Sequence, residues 1–174
     1  VDYLEAHGTG TPLGDPIEVQ AAGAVYGAAR DADRPLLMGS VKTNIGHTES
    51  ASGAAGLIKV VLAMQENKIP ATINYLGPNP HIDFEKSHLQ VTPEATDWPR
   101  YTGKAVAGVS GFGFGGTNAH VVVKEYVPAD AVVDEPVVDA PVVDEPAAEN
   151  ESTVVLAVSG ALEPFVQELG INSD

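Results

Sequence analysis

The chain has 174 residues, 44% hydrophobic and 19% charged, a composition typical of a globular protein with a sizeable core. Its net charge of −15 argues against nucleic acid as the main partner, and the absence of Cys excludes disulfides and a cysteine nucleophile within the chain. No apolar run approaches the ~20 residues of a membrane span and no basic-then-apolar leader is present, so we expect a cytoplasmic protein. The chain begins without Met, in a predicted strand, and we expect it to be part of a longer protein.

The first predicted elements are a strand, a loop and a helix. Residues 1–7 alternate between apolar and polar, which predicts a strand, and small residues at 8–14 predict a loop. Asp15 as the N-cap, with Pro in the first turn, predicts a helix that ends near residue 29. Four further elements are predicted after it: a short buried strand over 36–41, a polar turn over 44–50, a helix over 50–67 and a loop-rich stretch over 74–99.

The helix predicted over 50–67 has unusually small residues at 51–56. Such a surface lets another backbone approach closely, so we expect this helix deep inside a layered structure. Two strands, over 105–110 and 119–124, are predicted on either side of a glycine-rich turn.

The C-terminal part of the chain has a different character. All nine Lys and Arg residues lie within residues 1–124, so the C-terminal fifty residues carry acidic charge alone. A five-residue Val-Val-Asp repeat with regularly spaced Pro predicts a disordered, extended acidic linker over 127–152, with ~3.1 Å per residue. A strand-like run at the start of 153–174 predicts the beginning of a further linker or domain.

Two histidine-containing motifs are candidates for chemistry. In E-A-H-G-T-G-T, at 5–11, a His at the end of a strand meets a loop rich in hydroxyls and backbone amides; the alternative is a capped turn with a hydrogen-bonded His. In K-T-N-I-G-H-T-E, at 42–49, His47 precedes a helix whose dipole disfavours positive charge. A neutral imidazole there donates a hydrogen bond toward developing negative charge, and Lys42 acts electrostatically. The alternative is a paired lysine and a helix-capping histidine.

The third motif is the glycine-rich stretch at 111–118. It contains the spacing G-x-G-x-x-G, but a strand follows where a dinucleotide site requires a helix, so we reject that interpretation. The free backbone amides beside two aromatic rings suit an oxyanion hole with a gate, and the alternative is a plain hairpin. We expect no metal site, because His7, His47 and His120 lack the close spacing of preorganised ligands.

In this order the three motifs closely resemble the C-terminal half of the β-ketoacyl synthase (ketosynthase) domain of type I polyketide synthases, over residues 1–126. The resemblance implies an α/β, thiolase-like fold with α-β-α-β-α layers built from two similar halves, of which this chain has the C-terminal one. The stretches N-P-H-I-D-F at 79–84 and D-W-P-R at 97–100 also resemble actinobacterial lipid-making synthases, including the mycolate-condensing type.

The resemblance implies a role for each matching residue. These are His7 and His47 as the active-site histidines, Lys42 as the lysine that supports them, Glu18 as the acid paired with Lys42, Thr9 and Thr11 as lining of the phosphopantetheine tunnel, Phe114 as the gate whose amide helps to form the oxyanion hole, and Asn118 as structural support.

The implied reaction is decarboxylative Claisen condensation of an acyl thioester with a malonyl-type extender. The implied partners are an acyl carrier protein with its phosphopantetheine arm, an acyltransferase domain of the same synthase, the N-terminal ketosynthase half with its nucleophilic Cys, and a second copy in a homodimer. No cofactor is expected to bind directly. Because this chain has no Cys, it cannot complete acyl transfer alone.

Two alternative functions remain open beside this one. The first is a ketosynthase-like protein without catalysis of its own, which shapes the tunnel of a dimer partner. Retention of both His7 and His47 argues against it, because such a protein has no chemical need for two imidazoles. The second is a degradative thiolase, but thiolases use a second Cys as base.

Overall fold

The computed structural model describes residues 1–127 and, for residues 153–157, the backbone. The strands are β1 (Tyr3–Glu5), β2 (Leu36–Gly39), β3 (Lys68–Ile69), β4 (Leu89–Val91), β5 (Thr96–Asp97), β6 (Val106–Phe112), β7 (Asn118–Tyr126) and β8 (Thr153–Ala157). The helices are α1 (Gly14–Ala22), α2 (Lys42–Ile45), α3 (Ser52–Gln65) and α4 (Phe84–Ser87), with a π-helical turn at Gly23–Gly27 and a 3₁₀ turn at Glu49–Ala51. None of the helices in these residues is long and apolar enough to cross a membrane.

The main sheet has six strands in the order β4-β2-β1-β6-β7-β8. Strands β4, β2, β1 and β6 are parallel, and β7 and β8 each run antiparallel to the preceding strand in that order. Tyr3 of β1 pairs with Leu37 on one side and with Ala107 on the other. The carboxyl ends of β1, β2 and β6 therefore lie side by side at one edge of the sheet, where sites in parallel sheets form.

Helices cover both faces of this sheet. Tyr3 points into a cluster that contains Val60 and Met64 of α3 together with Trp98. Its neighbour Leu4 points to the opposite face, where the cluster includes Val19 of α1. Successive strand residues face opposite sides, so one short strand serves two apolar layers. This arrangement has the α/β character that the sequence predicted.

The first helix departs from its prediction at both ends. The N-cap is Leu13, without a side-chain cap, and the Asp15 carboxylate instead accepts the N–H of Gly10 at 3.1 Å. Asp15 therefore stabilises the preceding loop through this hydrogen bond. The α-helix ends at residue 22 rather than 29, and the backbone continues as the π-helical turn. There Gly27 packs so closely that an added Cβ would collide with the backbone oxygen of Ser87.

Two further predictions from local sequence pattern were incomplete. The short helix α2 occupies the start of the stretch predicted as a polar turn. The stretch over 74–99, predicted as rich in loops, contains α4, β4 and β5. β4 exists because it pairs with β2, a contact between distant parts of the chain that no local pattern reveals.

The predicted acidic linker lies outside the described residues, except for residue 127. Of the predicted further linker or domain over 153–174, the structure describes only the backbone of β8. That strand pairs with β7, with Ala157 opposite Val122 and Thr153 opposite Tyr126.

Candidate active site

The three sequence motifs meet at the carboxyl edge of the sheet. His7 follows β1, the segment from Lys42 to His47 follows β2, and the glycine-rich loop follows β6. Since β2, β1 and β6 are neighbouring parallel strands, their carboxyl ends bring these distant parts of the chain together.

Two imidazoles form the centre of this edge. The rings of His7 and His47 lie 5.3 Å apart between centroids, with planes at 82°. The backbone N–H of Phe112 donates a long hydrogen bond of 3.4 Å to His7 Nδ1, and the N–H of Glu49 donates one of 2.9 Å to His47 Nδ1. A neutral imidazole has one acceptor and one donor nitrogen, so these partners assign the ring proton to Nε2 in both histidines. Both Nε2–H groups are then available as donors.

The charges near His7 favour this neutral form. Burial lowers the pKa of His7 below its ordinary value, and the nearby Lys42 and His47 lower it further. Burial also lowers the pKa of Lys42, whereas the negative charges of Glu5 and Glu18 act to raise it. The site thus combines a neutral His7 with a lysine charge held near two carboxylates.

Glu18 holds the loop that follows β1. The side chain is buried, and its two carboxylate oxygens accept the backbone N–H groups of His7 at 2.8 Å and Gly8 at 2.9 Å. Gly8 there has a φ of +46°, a conformation that other residues rarely adopt. Burial raises the pKa of Glu18, while the two hydrogen bonds lower it. The expected ion pair between Glu18 and Lys42 is absent from the described residues, and the Glu18 carboxylate there accepts the two backbone N–H groups.

The two threonines lie in the loop between β1 and α1. The hydroxyl oxygens of Thr9 and Thr11 are 3.3 Å apart, and Thr11 Oγ1 accepts the N–H of Gly14 at the start of α1. An added Cβ on Gly14 would lie 2.5 Å from Thr11 Oγ1. Thr11 therefore fixes the junction of loop and helix.

The residues of the glycine-rich loop differ in their exposure and in their contacts. The ring of Phe114 is fully exposed between β6 and β7, and Asn118 begins β7 opposite Phe112. The backbone N–H that reaches His7 belongs to Phe112 rather than to Phe114.

His120 belongs to a separate group. Its Nδ1 lies 3.0 Å from Ser110 Oγ and its Nε2 lies 2.6 Å from Tyr26 OH, which ties β7 to β6 and to the π-helical turn. Within residues 1–127, no three His, Asp or Glu side chains are grouped so that they could hold a metal ion.

Two further residues of this region were not predicted from the sequence to belong to the site. Glu5 lies two residues before His7 and is buried, and Lys59 of α3 forms an ion pair with it at 2.7 Å. Lys59 is the lone charge in the otherwise apolar sequence of α3, and a buried charge is almost always paired. That signal was available in α3 but did not identify Glu5 as the partner.

Comparison with known families confirms the predicted family. The model described as "Beta-ketoacyl synthase, C-terminal domain" matches residues 1–76, and that described as "Ketoacyl-synthetase C-terminal extension" matches residues 78–170.

Similar proteins are much longer than this chain. One component of the phenolphthiocerol/phthiocerol polyketide synthase of Mycobacterium tuberculosis is 57% identical over 72% of this chain and 7% of its own length. An erythronolide synthase of Saccharopolyspora erythraea is 52% identical over 75% of this chain and 4% of its own length.

The solved structures agree with these relatives. The ketosynthase from module 6 of the bacillaene synthase of Bacillus subtilis superimposes with a TM-score of 0.69 at 45% identity, over 74% of this chain and 23% of that one. The oxazolomycin ketosynthase domain of Streptomyces albus gives a TM-score of 0.68 at 38% identity, over 74% of this chain and 22% of that one. The chain therefore belongs to the β-ketoacyl synthase family, as the C-terminal part of a thiolase-like ketosynthase domain of the polyketide synthase type.

Proposed function

We propose that this chain supplies the two histidines of a β-ketoacyl synthase that performs decarboxylative Claisen condensation. The observation that carries the proposal is the pair of imidazoles, His7 and His47, whose Nδ1 atoms accept backbone N–H groups. Two Nε2–H donors on rings with centroids 5.3 Å apart suit an oxygen on which negative charge develops during reaction.

The reaction begins outside this chain. The thiolate of a cysteine from the N-terminal half of the ketosynthase attacks an acyl thioester on the phosphopantetheine of a carrier protein. The acyl group moves to the cysteine, and the phosphopantetheine leaves as a thiolate. A malonyl-type extender on a carrier protein then enters past Thr9 and Thr11, which we assign to the tunnel for its phosphopantetheine arm.

Decarboxylation is the step that uses the two histidines. The bond between the carboxylate and the α-carbon breaks, carbon dioxide leaves, and the electron pair forms an enolate with the thioester carbonyl. The enolate oxygen accepts hydrogen bonds from Nε2–H of His7 and of His47. Neutral donors serve better than cations here, because they form no tight ion pair with the substrate carboxylate. Removal of one such donor typically costs ~10²–10³ in rate.

Condensation completes the reaction. The enolate carbon attacks the acyl-cysteine carbonyl, the tetrahedral oxyanion collapses, and the cysteine thiolate leaves. We assign the amide of Phe114 to the oxyanion hole of this step, and Glu18, Asn118 and Lys42 to support of the site. The product is a β-ketoacyl thioester on the carrier protein. The acyltransferase domain of the same synthase supplies the extender, and the ketosynthase works as a homodimer.

Histidine substitutions in the complete synthase test this function. His7→Ala and His47→Ala are expected to retain single-turnover loading of the acyl chain. Release of labelled carbon dioxide from a malonyl-type carrier thioester is expected to fall by ~10²-fold or more. The matched control is His81→Ala, an exposed histidine of the loop before α4, which is expected to leave both steps unchanged. A histidine variant that releases carbon dioxide at the parental rate but is not acylated would assign that residue to activation of the cysteine and contradict the proposal.

A further inference from the structure

A buried ionic network is centred on Glu5, the last residue of β1, two residues before His7. Glu5 is 1% exposed and the Lys59 side chain 11% exposed. The Glu5 Oε2 atom accepts hydrogen bonds from Lys59 Nζ at 2.7 Å and from Tyr3 OH at 2.9 Å, and Lys59 Nζ also donates to Tyr3 OH at 2.7 Å. One oxygen of the carboxylate is thus fully committed to β1 and α3.

The other oxygen of Glu5 reaches the segment after β2. Glu5 Oε1 accepts the backbone N–H of Val41 at 2.5 Å. Val41 is the N-cap residue of α2, so this bond fixes the point from which Lys42 and, five residues further, His47 extend. α3 makes room for the carboxylate at Gly56, where an added Cβ would lie 3.1 Å from Glu5 Cγ.

The charge of Glu5 also acts on Lys42. Burial lowers the pKa of Lys42, and among the opposing charges Glu5 has a larger effect than Glu18. This observation agrees with the geometry, in which Glu5 Oε1 accepts the N–H of Val41, the residue before Lys42.

We propose that Glu5, with one oxygen held by Lys59 and Tyr3, is a positioning residue for the condensation, because its other oxygen fixes Val41 and so orients Lys42 and His47. The inference rests on the proposed function of the histidines and adds a role for residues that touch no substrate. The essential element is the hydrogen bond to Val41, and the ion pair with Lys59 directs the carboxylate toward it.

Replacement of the Glu5 carboxylate by an amide distinguishes positioning through Val41 from an effect of the charge of Glu5. In Glu5→Gln, Lys59 attracts the amide oxygen, so the amide NH₂ turns toward the N–H of Val41 and the bond is lost. In the double variant Glu5→Gln with Lys59→Met, the NH₂ group donates to Tyr3 OH and the amide oxygen returns to Val41. The amide oxygen and the amide nitrogen then each have a partner again.

The test is steady-state release of labelled carbon dioxide from a malonyl-type carrier thioester by the complete synthase. Glu5→Gln is expected to lower kcat by about 10-fold or more, with a change in KM below about 2-fold, because displaced site residues slow the reaction without a lost substrate contact. The double variant is expected to lie within about 3-fold of the parent. The matched control is Lys68→Met, which removes the exposed ion pair with Asp97 and is expected to leave kcat unchanged.

Two results overturn the inference. One is a Glu5→Gln variant with the parental kcat, which would make the network purely structural. The other is a folded double variant as slow as Glu5→Gln, which would assign the effect to the charge of Glu5. Where Glu5→Gln alone does not fold, a folded double variant with a kcat about 10-fold or more below that of the parent overturns the inference. Failure of the proposed function is a separate result, since the parental synthase would then release no carbon dioxide dependent on His7 and His47.

Discussion

The protonation state of His7 sets the pH range in which the proposed condensation can run. Burial, Lys42 and His47 lower its pKa, so its ring stays neutral to a lower pH than a free imidazole. Protonation turns Nδ1 into a donor, which opposes the N–H of Phe112. We expect the midpoint of the acidic decline in kcat for carbon dioxide release to lie below that of a free imidazole, about pH 6.5. Measurement of kcat against pH checks this, and a midpoint above pH ~6.5 would contradict it.

The Lys42 charge is expected to shift that profile. A cation near an imidazole disfavours its protonated form, so removal of the cation in Lys42→Met raises the pKa of His7. The acidic limb of the kcat profile should therefore move to higher pH, whatever the absolute rate of the variant. Lys68→Met is the control, because this lysine lies in the exposed pair with Asp97. An acidic limb that stays in place would show that Lys42 does not act on His7 through its charge.

Glu18 is expected to control the backbone from which His7 extends. In Glu18→Gln the amide offers one acceptor to two backbone donors, so the N–H of His7 or of Gly8 loses its partner. We expect acyl loading to persist and carbon dioxide release to fall by about 10-fold. In the control Asp15→Asn the amide oxygen still accepts the N–H of Gly10, and both steps should remain. Equal rates for Glu18→Gln and the parent would contradict the assignment.

The two glycines of α3, Gly53 and Gly56, lie in different surroundings. An added Cβ on Gly56 would crowd Glu5, whereas one on Gly53 would meet nothing within 4 Å among the described residues. Helix propensity alone predicts that Gly53→Ala raises the free energy of unfolding by up to about 1 kcal/mol. Because we expect the other ketosynthase half to cover this face, we predict the reverse in the complete synthase, a lowered Tm. Thermal unfolding measures it, and a raised Tm would show that the face stays open.

The elements that carry the site could be predicted from sequence, but several of their contacts could not. Alternating and small residues placed His7 at the end of β1 and the glycine-rich loop between β6 and β7. These features follow from local periodicity and turn chemistry. The partner of Glu18, the bond from Val41 to Glu5 and the strand β4 depend on which distant segments meet. Only the packed sheet determines such pairings.

An apolar groove of about 670 Å³ runs along the outer side of α3. Its lining includes Ile45, Ile58 and Leu62, each more than half exposed. Monomeric proteins rarely leave so apolar a surface uncovered. We therefore predict that residues 1–126 expressed alone do not fold as an independent unit. Thermal unfolding and amide spectra check this against the complete ketosynthase, and a cooperative transition with dispersed amide signals would contradict it.

The order of β2, β1 and β6 has a consequence for exchanging parts between synthases. The two imidazoles and the amide of Phe112 belong to one continuous stretch, residues 7–112, although they meet across three strands. A chimaera joined inside that stretch would combine loops from different parents around the site proposed to bind a single enolate. A chimaera joined before β1 or after β7 takes both imidazoles and the Phe112 amide from one parent. Only the contacts between this segment and the rest of the synthase then have to be compatible.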